Sequence, residues 1–97
     1  MKDIKNLKES KELELKSEWS DSCLRSLCAF ANTDGGKLMI GIDDEGKILG
    51  IKNSKEMLEV IPNKINNHLG IIPKVTLHSS DGKEIISIEI PLASSQV

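Results

Sequence analysis

Three stretches of this chain carry residue types that could act on a phosphodiester. Glu14 lies in the alternating run Lys11-Glu12-Leu13-Glu14-Leu15-Lys16, and Asp43 and Asp44 open the turn Asp43-Asp44-Glu45-Gly46. Metal-assisted cleavage needs two or three oxygens converging on Mg²⁺ or Mn²⁺, to polarise the phosphate and activate water. Glu14 and Asp43 or Asp44 would converge if their strands are neighbours. On residue types alone a plainer account is favoured: Glu12 and Glu14 line a solvated strand face, and the aspartates serve the turn. The Gly35-Gly36 pair offers backbone N–H groups that could cradle a phosphate. Its competing use, a helix C-cap followed by a tight reversal, is the stronger of the two. Lys2, Lys5, Lys8, Lys11 and Lys16, with Arg25 and Lys37, could form a phosphate-contacting edge or be simply a solvated surface.

Other chemistries drop out quickly. Asp34-Gly35-Gly36-Lys37-Leu38 lacks the Gly-x-x-x-x-Gly-Lys-Ser/Thr spacing that wraps a β-phosphate, so ATP is not expected as a cofactor. His68 and His78 stand apart from any ligand or catalytic partner in sequence. Cys23 and Cys28, five apart, match no zinc knuckle or redox pair and read as core-facing or partly buried thiols. The 13 basic residues are outweighed by 15 acidic ones, so no strong basic patch advertises a nucleic-acid partner. With Trp19 and Phe30 the only aromatics, a platform stacking successive bases is excluded. No apolar run approaches the ~20 residues of a membrane span, and the N-terminus lacks the apolar core of a signal peptide. The expectation is a cytoplasmic protein with no membrane partner.

These residues need elements to position them. Ninety-seven residues suffice for one domain with one modest core. Residues 1–8 show no period and read as a flexible arm, leaving 9–97 as a single domain. The run from Lys11 to Lys16 predicts a strand with Leu13 and Leu15 inward. Ser20 or Asp21 should cap a helix whose stripe is Leu24, Leu27, Cys28 and Ala31, with Trp19 stapled beneath it. Asn32 to Gly36 ends that helix. Leu38 to Ile42 predicts a strand covered on both faces, with Gly41 under close packing. Lys47 to Ile51 returns as its hairpin partner. Ser54 opens a second helix along Met57, Val60, Ile61, Ile65 and Leu69, with a kink or a restart at Pro62 and a stop at Gly70 and Pro73. Val75 and Leu77, the Asp81-Gly82 turn, and Ile86, Ile88 and Ile90 make a closing hairpin. The predicted order is β-α-β-β-α-β-β, an α+β fold of two helices on a small mixed sheet. Ending at Val97 just past a strand, the chain is expected to be a fragment of a longer protein.

Three blocks in this order are specific: Glu9-Ser10-Lys11-Glu12-Leu13-Glu14-Leu15-Lys16, then Ala29-Phe30-Ala31-Asn32-Thr33-Asp34-Gly35-Gly36, then Ile40-Gly41-Ile42-Asp43-Asp44 with Gly46 and Leu49-Gly50. Ile71-Ile72-Pro73 is a weaker fourth. Together they resemble the Schlafen-type, Alba-like domain, whose members are also labelled divergent AAA, over residues 9 to 95. The resemblance implies a nucleic-acid-binding module, DNA before RNA, at the N-terminus of a bacterial transcriptional regulator. In animal relatives two copies form a clamp that cleaves RNA with three carboxylates and a divalent metal. Carried over, two of those fall on Glu9 and Glu14, and the third on Asp43 or Asp44. Leu15 replaces a common aromatic, which changes little because both fill a core.

The expected function is therefore nucleic-acid binding through Lys11, Lys16, Arg25, Lys37 and the Gly35-Gly36 turn. The alternatives are an endoribonuclease-like domain using Glu9, Glu14 and Asp43 or Asp44 with Mg²⁺ or Mn²⁺, and a structural domain that self-associates. Enzymatic activity is not the favoured role; if present, it would be that of a metal-dependent nuclease and not of an ATPase. A nuclease made from one copy would need a homodimer to build its groove.

Overall fold

The computed structural model describes residues 13–91. The expected N-terminal arm, Glu9 and Lys11 lie outside them. Four strands and two helices follow in the order β1 (Leu13–Lys16), α1 (Asp21–Ala31), β2 (Gly36–Ile40), α2 (Ser54–Leu69), β3 (Lys74–Ser80) and β4 (Lys83–Ile90). The sheet order is β1-β2-β4-β3. β1 and β2 run parallel across α1, while β4 is antiparallel to both β2 and β3. This is the α+β fold of two helices on a mixed sheet that the hydrophobic periods predict. The return segment after the Asp43 turn touches Ile42 through a single antiparallel bridge at Ile48, so the predicted third strand is one bridge long.

Register assigns the two faces. Gly36, Leu38 and Ile40 of β2 pair with Ile90, Ile88 and Ile86 of β4, and the last two with Val75 and Leu77 of β3. Their side chains meet Cys23, Leu27 and Phe30 of α1 and Ile61 and Ile65 of α2 in the larger core. Each fully buried Leu or Ile here is worth roughly 1.5–3 kcal/mol. The opposite face buries Leu15, Met39, Ile42 and Ile85, with Leu13 and Ile48 half-buried beside them. β2 is thus covered on both sides, as its continuous apolar run implies. Gly41, at φ 102°, bends the chain where a Cβ would stand 2.9 Å from Ile85 Cγ2.

Several local expectations need correcting. The buried stripe of α1 is Cys23, Leu27 and Phe30, with Leu24 and Ala31 at its flanks. Cys28 is only half-buried, and its Sγ accepts from Asn32 Nδ2 at 3.6 Å. Phe30 belongs to the stripe because Gly36 leaves room for its ring; a Cβ at Gly36 would collide with that ring. Ser20 is the N-cap residue, yet neither its side chain nor that of Asp21 caps the helix; the Ser20 hydroxyl meets Ser22 Oγ at 2.8 Å. α2 runs unbroken through Pro62 to a left-handed cap at Gly70, so there is no restart. The closing hairpin turns on Asp81 (φ 53°) and Gly82 (φ 77°), positive at both central residues as a two-residue hairpin turn requires.

Candidate nucleic-acid interface

The sheet face turned away from the helices carries the charge of interest. Register sets Lys37 of β2, Glu89 of β4 and Lys74 of β3 in one row across three strands. Glu89 Oε2 lies 3.6 Å from Lys37 Nζ, and its Oε1 lies 3.9 Å from Lys74 Nζ. Two cations share one carboxylate, so the row keeps a surplus positive charge. All three side chains are open to solvent, which makes the pairs weak as stabilisers and leaves the lysines available to other anions. In the next row Met39, Ser87 and Thr76 stand side by side, and His78 Nε2 lies 3.0 Å from Ser87 Oγ. A groove of about 550 Å³ opens at this end of the sheet, where Lys37, Lys74 and Glu89 meet Asp34, the Gly35-Gly36 turn and Ile72, so the groove itself is lined by two cations and two carboxylates. Ile72 is 83% exposed, an apolar side chain standing beside two lysines.

The predicted basic residues do not form one edge. Lys16 shares the helix side of the sheet, because it pairs with Ile40 and acts electrostatically on Cys23 of α1. It lies 3.8 Å from Glu14. Arg25 is exposed on α1. Lys37 lies on the opposite face, paired in register with Leu13 at the other end of β1. The Gly35 N–H donates to Phe30 O at 2.9 Å, closing the helix end, so that amide is already used. Gly36 has joined β2.

The carboxylates are also dispersed among the described residues. Glu14 pairs in register with Leu38, and the chain continues through Ile40 and the Gly41 bend before it reaches Asp43. Asp43 Oδ1 accepts the N–H groups of Glu45 and Lys47, each at 2.9 Å, and so organises its own turn. Asp44 is exposed beside it. No group of three His, Cys, Asp or Glu that could hold a metal occurs among the described residues, and Glu9 lies outside them. Burial pushes the Cys23 thiol above its ordinary range, against hydrogen bonds from Ser20 and the charge of Lys16. No described helix is long and apolar enough to cross a membrane.

Lys74 is the residue that sequence reasoning missed. It opens a strand whose polar side is Lys74, Thr76 and His78, a pattern visible in the alternation. Its approach to Lys37 depends on β4 lying between them, which no local pattern reveals.

The family model for Schlafen, AlbA_2 matches residues 9–97. The chain belongs to the Schlafen, AlbA_2 family. Solved structures share the fold of this Schlafen, AlbA_2 domain. One is the N-terminal domain of a Nitrosomonas europaea protein described as related to the ATP-dependent DNA helicase RecG. It superposes with a TM-score of 0.74 at 22% identity, covering 95% of this chain and 74% of that one. Another is the DIP2311 protein of Corynebacterium diphtheriae, with a TM-score of 0.71 at 22% identity over 91% of this chain. This chain spans only 22% of DIP2311.

Proposed function

We propose that this Schlafen, AlbA_2 domain binds nucleic acid, DNA before RNA, as the docking module of a bacterial transcriptional regulator. The observation that carries the reading is the Lys37–Glu89–Lys74 row beside its groove, two cations around one anion on a face that no described helix covers. A phosphate would replace the glutamate's weak share of either lysine. Family membership and the RecG-related description of one structural neighbour support the same direction. Contacts of this kind grip the backbone and read little sequence. Lys16 and Arg25 belong to the reading as further phosphate contacts away from this row, and Lys11, outside the described residues, as another.

The test is binding of a labelled duplex between 50 and 200 mM salt, on the order of the range where counterion release dominates. Affinity should fall steeply with salt. Lys37→Glu with Lys74→Glu should weaken every sequence about equally and flatten the log–log slope by about two, one per lost phosphate contact. Unchanged affinity in that variant would remove this face from the interface.

A further inference from the structure

A second cleft, of about 460 Å³, lies at the other end of the molecule, where β1 and β2 finish and both helices begin. Its volume suits a small molecule. Ile40, Ile51 and Met57 make an apolar lining, Trp19 forms a wall, and Lys52 and Asn53 stand at the rim. The ends of adjacent strands in α/β sheets are a recurrent place for such ligands. Trp19 is half-buried, packed against the main core yet lining this opening. Phe30, the other aromatic side chain, is committed to Gly36, so Trp19 alone can meet a ligand ring. Lys52 is exposed and supplies a cation next to the amide of Asn53. Glu18 also lines the cleft and suits a sugar hydroxyl, which donates, better than a second anion.

We propose that this cleft binds one nucleotide, its base against Trp19 and its phosphate at Lys52 and Asn53. The ligand is a monophosphate, because the chain has no glycine loop to wrap further phosphates. One aromatic holds one base, which fits a single nucleotide and not a run of stacked ones. That nucleotide comes either free or as the phosphorylated end of a strand. The strand-end source rests on the binding function proposed above; the free source does not.

The chain's single tryptophan reports directly on the cleft. AMP should change Trp19 fluorescence saturably, and both Lys52→Glu and the use of adenosine should weaken the response about tenfold, the loss of one charge-assisted contact. The Lys37→Glu, Lys74→Glu protein should answer AMP as the parent does, so failure of the sheet-face interface and failure of this cleft are told apart. A 5′-phosphorylated hexanucleotide that outcompetes both AMP and its unphosphorylated twin identifies a strand end. AMP binding as tightly as the hexanucleotide identifies the free nucleotide. No saturable response to AMP, or equal responses to AMP and adenosine in the parent, overturns the proposal.

Discussion

Gly36 carries no side chain because the ring of Phe30 occupies the space where one would stand. Its backbone lies in an ordinary strand, so the constraint there is contact and not conformation. Gly36→Ala should therefore cost about 1–3 kcal/mol by overpacking. The penalty should shrink when Phe30 is first shortened to Leu, a coupling that a double-mutant cycle in urea would measure. That pairing could be suspected in the Ala-Phe-Ala-Asn-Thr-Asp-Gly-Gly block, but helical spacing alone drew attention to Cys28. A second consequence concerns Cys23. Its thiol is held above the ordinary range by burial, so the folded protein keeps a proton that the unfolded chain gives up. The contribution of this thiol to stability is fully present below about pH 8.5 and is lost as pH rises beyond it. Comparing urea midpoints of the parent and Cys23→Ala from pH 7 to 10.5 should show this slope in the parent alone. Thiol reagents should label half-buried Cys28 in the native protein and reach Cys23 only on unfolding.

α2 shows how tertiary packing overrides a local rule. Proline inside a helix removes one N–H and crowds the carbonyl four residues back, here that of Leu58. The helix nevertheless continues through Pro62, because Ile61 and Ile65 on either side are fully buried in the main core. Its first turn is anchored as well, since the Ser54 hydroxyl donates to Glu84 Oε1 at the start of β4. Pro62→Ala should restore a donor and raise the melting temperature by several degrees, about 1 kcal/mol or more in a domain of this size. A drop in melting temperature would mean that proline's stiffening of the unfolded chain outweighs the lost bond. The strands were more legible than the helices. Alternation gave Val75 and Leu77, and Ile86, Ile88 and Ile90, their faces toward the helices. Leu13 and Leu15 pack on the opposite face, which leaves Glu14 and Lys16 on the helix side and not on a solvated one. The segment after Asp43 was harder, because Lys47 to Ile51 alternates like a strand. Leu49 and Gly50 N–H both donate back to Gly41 O, and Ile51 leaves for the closing hairpin, its N–H donating to Glu84 O at 2.8 Å.

For the whole molecule, net charge was a poor guide to where charge matters. A chain at −2 still places a cationic row on one face, since register and not composition decides which side chains share a surface. The same logic bears on nuclease chemistry. Glu14 is beside Lys16, and Asp43 is occupied by its own turn. With Mn²⁺, labelled transfer RNA and single-stranded DNA should stay intact on a denaturing gel with the parent and with Glu14→Gln alike. Cleavage by the parent that disappears in Glu14→Gln would instead assign the carboxylates a catalytic role. The sequence could nominate these residues but not their separation, which depends on the bend at Gly41 and on strand pairing between distant segments.

The sheet order has a further meaning. β1, α1 and β2 are consecutive, and α1 packs chiefly on β2; α2, β3 and β4 are consecutive, and α2 packs on the β3–β4 pair. The molecule is two contiguous halves, sewn together along the antiparallel seam in which Leu38 meets Ile88 and Ile40 meets Ile86. A backbone cut within the Asp43–Gly46 turn would leave that seam as the central bond between two complementing fragments.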